Sequence, residues 1–289
     1  MGRFLRLQPD RPDRAAHGYV YYRWTSRYVA VVRWALERRG FGALRTAAGN
    51  HLAETHHAKI VPAETARRVI RVDRAVDLHD LESVVPYAVA RDVVLEAPLT
   101  IALAQCACRA TAREAGRGHD CGPLEQCLYL GDPIASFVAE KQPSASLITA
   151  EQALEVIDAA AARGAIHSLW FKDAAGGRMY AICNCCSCCC VGLEAQREGF
   201  RPLAGSGYCA VVDAEACTAC GECVASCAFG ALSIGPGADS VAVDAELCLG
   251  CGACLRACPA GALALEQALG ALLPLTLDGG RTNTGTHAG

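Results

Sequence analysis

The clearest helical pattern in the chain covers residues 149–164, "TAEQALEVIDAAAARG". With the period of 3.6 residues per turn of an α-helix, Leu154 and Ile157 fall on one face. Thr149 and Gln152 form a capping-box signature at its start, and Gly164 is a stop signal at its end. The pattern predicts a helix that packs one face against a core.

Two apolar runs directly after this helix indicate a β-hairpin. "AIHSLWF" (165–171) and "RMYAIC" (178–183) are rich in strand-forming residues, and "DAAGG" (173–177) between them is a turn signal. Such a hairpin delivers Cys183 at the end of its second strand. We therefore expect the residues after Cys183 to form an exit loop, a suitable position for ligand-bearing side chains.

Residues 25–40, "TSRYVAVVRWALERRG", form a second amphipathic pattern, with Ser26 as N-cap and Gly40 as stop. The predicted apolar face consists of Tyr28, Val31, Val32, Ala35 and Leu36, and arginines including Arg33 surround it. A basic amphipathic helix can lie on a membrane surface or meet an acidic partner. The simpler interpretation, a core helix with one solvated face, is favoured.

Four short apolar runs near the C-terminus, 209–213, 231–234, 241–243 and 262–266, predict small β-hairpins. Together the patterns predict an α+β fold with four regions. These are a basic helical region (1–80), a cysteine-rich α+β domain (81–205), a domain of small β-hairpins (206–268) and a flexible polar tail (269–289).

Charge is unevenly distributed between these regions. The whole chain of 289 residues carries −3, yet residues 1–80 carry +7 and residues 209–266 carry −6. This asymmetry suggests modules with different partners. No nucleic-acid-binding motif accompanies the arginines, so a nucleic-acid partner is not expected.

Nineteen cysteines dominate the composition. The number is odd, the chain is much longer than a disulfide-stapled mini-domain, and neither a secretory signal nor a run of 18 apolar residues is visible. We therefore expect a cytoplasmic, reducing location, thiolates bound to metal and no transmembrane segment, with peripheral membrane contact left open.

Eight cysteines belong to an internal repeat with an offset of 31 residues: "VDAEACTACGECVASCAFGAL" from Val212 and "VDAELCLGCGACLRACPAGAL" from Val243. Each copy contains C-x2-C-x2-C-x3-C. Three cysteines at this spacing can wrap a loop around one face of a [4Fe–4S] cluster, while the fourth points away and ligates the partner cluster. Zinc knuckles, the alternative, favour paired C-x2-C units instead. The predicted ligand sets are Cys217, Cys220, Cys223 and Cys258 for cluster 1, and Cys248, Cys251, Cys254 and Cys227 for cluster 2.

These motifs resemble the bacterial-type two-cluster ferredoxins over about residues 206–266. The resemblance implies two [4Fe–4S] clusters that carry single electrons at low potential between redox enzymes. Pro259 follows the last cysteine of the second copy, but Ala228 stands at the matching position of the first. Because this proline is not a ligand, the departure concerns local rigidity and not cluster binding. Cys209 lies outside both quartets and is interpreted as a buried apolar cysteine.

Ten further cysteines lie upstream with different spacing. They are Cys106, Cys108, Cys121, Cys127, Cys183, Cys185, Cys186, Cys188, Cys189 and Cys190. A subset is predicted to hold at least one additional metal centre, with iron–sulfur favoured over zinc because the adjacent module already requires cluster assembly. Metal-free vicinal thiols are the alternative, and the sequence does not decide the pairing.

This region is also similar to a group of ferredoxin-fused iron–sulfur proteins of anaerobic prokaryotes whose reactions are largely unassigned. The similarity rests on "CACR" (106–109), "ICNCCSCCC" (182–190) and "SGYCA" (206–210), with "HHAKIVP" (56–62) and "VVPYAVARDVV" (84–94) in the same pattern. It implies cluster binding in a shared N-terminal module and supplies no substrate.

Four histidines are weaker candidates for the metal site: His56, His57, His119 and His167. Histidine can replace cysteine on an iron or act as an acid or base, although a core or surface position is the simpler interpretation for each. His119 is the best ligand candidate because Cys121 lies two residues away.

The sequence contains no P-loop, dinucleotide fingerprint, G-x-S-x-G or H-E-x-x-H motif. The leading hypothesis is therefore an electron-transfer protein that serves a redox partner or an oxidoreductase complex. Two alternatives are a reductase with a catalytic cluster at the CNCCSCCC site and a metal-handling or redox-sensing protein.

Overall fold

The computed structural model describes residues 1–38, 42–72, 76–77, 94–95, 99–117, 121–268 and 273–275. The helices, in chain order, are α1 (Gly2–Leu7), α2 (Pro12–Arg23), α3 (Thr25–Glu37), α4 (Gly42–Thr55), α5 (Ala63–Ile70), α6 (Ala107–Glu114), α7 (Ile134–Lys141), α8 (Ala150–Ala162), α9 (Val191–Arg197), α10 (Glu222–Ser226) and α11 (Ala253–Ala257). The strands are β1 (His56–Val61), β2 (Val76–Asp77), β3 (Val94–Leu95), β4 (Ile101–Gln105), β5 (Glu125–Leu130), β6 (Ser146–Ile148), β7 (Ile166–Lys172), β8 (Met179–Cys185), β9 (Leu203–Ala204), β10 (Tyr208–Val212), β11 (Leu232–Ser233), β12 (Ala242–Val243) and β13 (Leu263–Gln267).

A seven-stranded sheet in the order β6–β4–β5–β8–β7–β1–β9 forms the framework of the N-terminal part. Its neighbouring strands are antiparallel except for β1 and β9, which run parallel. Because successive side chains of a strand point to opposite faces, the sheet separates two hydrophobic cores. Leu128 and Ile182 belong to one core, and Cys127 and Tyr129 to the other. This mixture of helices and antiparallel sheet agrees with the predicted α+β class.

The predicted helix and hairpin are confirmed, and one consequence drawn from them is wrong. Helix α8 begins after Thr149, whose side chain accepts a hydrogen bond from Gln152 N in a complete capping box. Strands β7 and β8 pair as a hairpin, but β8 continues through Cys185. The first cysteines of the CNCCSCCC segment therefore lie on a central strand, and only those from Cys186 onward lie on the exit loop.

Strand β1 connects the basic N-terminal region to the cysteine-rich region. It pairs with β7 along its whole length, from His56 opposite Lys172 to Val61 opposite His167. Residues 1–80 and 81–205 thus contribute strands to one sheet. The proposed boundary near residue 80 lies outside the described residues, as do "VVPYAVARDVV" through residue 93, His119, Gly40 and the residues of the tail other than 273–275.

Helix α3 forms as predicted, with Ala35 and Leu36 of the expected apolar face buried, but one position of that face is wrong. It begins at Thr25 with Trp24 as N-cap, so Ser26 is not the cap. Val31, expected on the buried face, is 66% exposed, whereas Arg33 is 4% exposed. Apolar character favoured Val31 as a buried position, but Arg33 is buried instead, because it donates hydrogen bonds to backbone carbonyl groups, described below.

The C-terminal module contains two small sheets and two short helices. The strand positions are confirmed, but the first and last strands pair with each other, β10 with β13, while only β11 and β12 form a hairpin. Among the described residues, no helix is long and apolar enough to cross a membrane.

Candidate metal centres

Three of the ten upstream cysteines share one face of the sheet. Cys127 on β5 pairs directly with Cys183 on β8, and their Sγ atoms are 3.7 Å apart. Cys185, two residues further along β8, points to the same side. Its Sγ is 3.4 Å from Sγ of Cys190, the residue that precedes α9.

The turn between β4 and α6 closes this group into a ring. Cys106 is the N-cap of α6, and its thiol contacts those of Cys108 and Cys127. Cys108 in turn contacts Cys190. The six-thiol ring consists, in spatial order, of Cys106, Cys108, Cys190, Cys185, Cys183 and Cys127. The strand register and the N-terminus of α6 therefore assemble it from positions far apart in sequence.

The other four upstream cysteines form a separate group, the four-thiol site. Its members are Cys121, Cys186, Cys188 and Cys189, whose Sγ atoms all lie within 4.8 Å of one another. Cys189 is 3.6 Å from Cys121 and 3.5 Å from Cys188. Cys189 is buried, while Cys188 is exposed. The exit loop thus contributes thiols to both groups: Cys190 belongs to the ring, Cys188 and Cys189 belong to the four-thiol site, and Cys186 of that site also lines the ring cavity.

The close packing of thiols shifts their ionisation. Hydrogen bonds with Cys127 and Cys185, together with burial, raise the pKa of Cys183 well above its usual range. Donation from Cys183 and Cys190 lowers the pKa of Cys185 to about 6. One thiolate in the ring is therefore stabilised at the expense of its neighbours, and full ionisation of the ring needs a bound cation to offset the repulsion.

Two buried arginines support the cysteine loop, and sequence reasoning missed both roles. Arg33 donates through Nη2 to the backbone carbonyl oxygens of Cys189 and Cys108, at 2.5 and 3.1 Å. Arg109 is 2% exposed and contacts the thiol of Cys186. Although burial acts to lower the pKa of Arg109, that contact and the nearby thiols raise it. A signal for Arg109 was present, because it is the only charged residue in 99–112.

The six-thiol ring opens on a cavity of about 90 Å³. Besides the ring thiols, the lining consists of aromatic and aliphatic side chains together with His56 and Cys186; the aromatic ones are Tyr21, Tyr28, Tyr129, Tyr180 and Trp170. The cavity therefore combines soft sulfur ligands on one side with rigid apolar walls on the other.

Two smaller cavities lie in the C-terminal module, and each contains one predicted ligand set. Cavity 1, of about 10 Å³, is lined by Cys217, Cys220, Cys223 and Cys258. Cavity 2, of about 20 Å³, is lined by Cys227, Cys248, Cys251 and Cys254. In each case the fourth cysteine comes from the other copy of the repeat. Four thiol donors around one cavity fit the demand of a [4Fe–4S] cluster for a thiolate at each iron.

Backbone N–H groups around these cavities donate hydrogen bonds to cysteine sulfur atoms. Ala231 N donates to Cys227 Sγ and Ala262 N to Cys258 Sγ, both at 3.3 Å and at equivalent positions of the repeat. Gly250 has φ +62°, and a Cβ there would lie 2.2 Å from Tyr208 O. Close approach of the two chain segments at cavity 2 thus requires glycine.

Three histidines and Cys209 are the remaining described candidates, and of these His56 lines the ring cavity. His56, His57 and His167 are buried, and burial lowers the pKa of each. His56 contacts Lys172 Nζ, and His167 Nδ1 contacts Asn184 Oδ1. Cys209 is half-buried and neighbours Cys248, so it is less enclosed than predicted.

Comparison with known proteins identifies the C-terminal module. Residues 216–262 match the family model of the 4Fe-4S dicluster domain, a span that contains all eight cysteines of the repeat. The chain is an iron–sulfur protein. The upstream part of this iron–sulfur protein lies outside the matched span, and no curated protein or solved structure matches the chain.

Proposed function

We propose that this iron–sulfur protein transfers electrons through two [4Fe–4S] clusters and a further iron–sulfur cluster held by the six-thiol ring. The ligands are those of cavities 1 and 2 and of the ring. The clusters, when bound, supply uptake and release of single electrons. Since thiolates must stay reduced to hold iron, the proposal includes a reducing compartment such as the cytoplasm.

The observation that carries the proposal is the continuity between cavity 2 and the ring. Leu249 and Cys251 line cavity 2 and pack against the hydrophobic core that contains the ring thiols Cys127, Cys185 and Cys190. Ser206 fastens this contact: its N–H donates to Leu249 O at 3.0 Å and its hydroxyl to Gly250 O at 2.8 Å. Packed apolar side chains thus join cavity 2 to the core that contains these ring thiols.

Cavity 1 is the site at which we expect a redox partner to reach the proposed series of clusters. Its ligand Cys220 is exposed, and the exposed carboxylates of Asp213, Glu215 and Glu222 lie nearby in the chain. Exposed carboxylates close in sequence to an accessible redox centre favour a partner with a basic surface, because complementary charge accelerates encounter. We infer that electrons are exchanged with a redox protein or oxidoreductase complex at this site.

Iron and sulfide counts on the full chain, purified without oxygen, test the cluster content. Two four-iron clusters require about eight irons per chain, and a third cluster raises the count to about twelve or more. A count near eight, with the ring thiols free to react with an alkylating reagent, would refute the third cluster.

The size of the ring cavity favours one second candidate, a reductase. At about 90 Å³, compared with about 10 and 20 Å³ for cavities 1 and 2, it leaves space beside a cluster for a small substrate against the aromatic wall. Adding small ligands to the reduced protein distinguishes the candidates. If the protein is a reductase, the added ligand changes the electron paramagnetic resonance signal, and Tyr180→Leu makes that change smaller. If the protein only carries electrons, the added ligand leaves the signal unchanged.

A further inference from the structure

The four-thiol site differs from every other cysteine group in its compactness. Its four Sγ atoms lie within 4.8 Å of one another, and the described residues form no other such set of ligand atoms. The eight cysteines of cavities 1 and 2 are all described, yet they do not meet this limit. Thiolates of a [4Fe–4S] cluster bind four different irons and so stand farther apart than thiolates that share one ion.

The distances agree with a single tetrahedral ion. A zinc–sulfur bond is about 2.3 Å, so four thiolates around one zinc stand about 3.8 Å apart. The contacts of Cys189 with Cys121 and Cys188, 3.6 and 3.5 Å, are close to this value. We propose that Cys121, Cys186, Cys188 and Cys189 bind one Zn²⁺ ion, separate from the iron–sulfur clusters.

Charge provides an independent argument. One divalent ion with four thiolates carries a net charge of −2, which is costly near a protein interior unless cations compensate it. Arg109 is 2% exposed, contacts Cys186, and its Nε has no hydrogen-bond partner among the described residues. Arg33, 4% exposed, donates to the backbone carbonyl oxygen of Cys189 but is also ion-paired with Glu194 at 3.3 Å. The buried charge that compensates the site is therefore that of Arg109.

The position of the site defines its role. It links Cys121, which precedes β5, to the loop that contains Cys186, Cys188 and Cys189. The next residue of that loop is the ring member Cys190. A bound zinc ion therefore fixes the loop that contributes Cys190 to the ring. The zinc has a structural role because four protein ligands complete its tetrahedral shell.

The experiment uses the full chain, produced without oxygen in medium supplied with both iron and zinc. X-ray absorption at the zinc edge is expected to report four sulfur neighbours at about 2.3 Å, with about one zinc per chain. This measurement on unmodified protein does not depend on the folding of any variant. Zinc below about one fifth of an ion per chain, or a shell of nitrogen and oxygen, would overturn the proposal.

Cys188→Ser then tests the ligand assignment, since Cys188 is exposed and serine is nearly isosteric. Zinc content is expected to fall at least fivefold while iron is unchanged. Ser187→Ala, at the exposed position beside Cys188 that offers no thiol, serves as the matched control and should retain both metals. Loss of about four irons from Cys188→Ser, or replacement of the zinc by one iron in the unmodified chain, would contradict a zinc site.

Discussion

The thiols of Cys127 and Cys183 lie 3.7 Å apart, directly opposite each other on the neighbouring strands β5 and β8. This register places a cysteine pair in the middle of the sheet, where an ordinary core would have aliphatic side chains. The other four ring members complete the circle around the same cavity.

The ring predicts that its members act as one site. Replacement of Cys183, Cys185 and Cys190 together by Ser leaves three ring thiols, too few for the four irons of a cluster, and should remove the iron in excess of the eight atoms expected for two four-iron clusters. Cys188→Ser, in the four-thiol site, should retain that iron. The measurement is iron per chain, and equal iron loss in both variants would show that the two groups are not separate.

Cross-ligation between the repeats predicts paired effects of distant substitutions. Cys258→Ser should alter the same centre as Cys217→Ser, and Cys227→Ser the same centre as Cys251→Ser, because each pair lines one cavity. Potentiometric titration of each variant identifies the centre whose reduction potential changes. If Cys258→Ser instead shifted the centre affected by Cys251→Ser, the ligand sets would be wrong.

The two copies of the repeat offer a matched test of backbone strain. Gly250 and Ala219 occupy equivalent positions, with φ +62° and +50°. Gly250→Ala should lower the thermal midpoint by several degrees, because it adds a left-handed penalty of about 1–2 kcal/mol to the clash with Tyr208 O. Ala219→Gly should change the midpoint little, since relief of strain offsets the added chain entropy.

Circular dichroism of the cluster-loaded protein measures both midpoints. A midpoint for Gly250→Ala equal to that of the unmodified chain would mean that the close approach at cavity 2 is not required.

Lys172 predicts a pH dependence of stability. Burial lowers its pKa from 10.5 to about 7, so the unfolded chain binds more protons than the folded protein between these values. The contribution of Lys172 to the free energy of unfolding is therefore greatest above pH 10.5 and decreases as the pH falls toward 7. The decrease is at most about 1.4 kcal/mol per pH unit. Lys172→Met should remove this dependence, whereas Lys141→Met, at a partly exposed position, should not.

Thermal midpoints at pH 7 to 9.5, compared among the three proteins, check this prediction. The stability of Lys172→Met relative to the unmodified chain should decrease as the pH rises. Parallel curves for the two would contradict the assigned pKa.

Local signals predicted much of the fold. The capping box of Thr149 and Gln152, the β7–β8 hairpin and the strands of the C-terminal module follow from short-range periodicity and turn chemistry. The division of the ten upstream thiols does not, because it depends on strand register and on the turn that brings Cys106 beside Cys127. The adjacent residues Cys189 and Cys190 belong to different groups. Which group each one joins depends on the local direction of the backbone, which the spacing of the cysteines does not show.

One edge of the buried face of α3 shows the same limit. Apolar character predicted Val31 to be buried, whereas Arg33, which hydrogen-bonds to two backbone carbonyl groups of the cysteine region, is buried instead. Those partners are distant in sequence, so no local pattern distinguishes Arg33 from the arginines at the surface.

An anaerobic reductive titration of the full chain, with the electrons accepted per molecule counted, is the most direct test of the electron-transfer account. More than two electrons should be taken up reversibly, one for each ferredoxin-type cluster and at least one for the ring. Uptake of two or fewer electrons, or uptake that cannot be reversed by a redox acceptor, would contradict it.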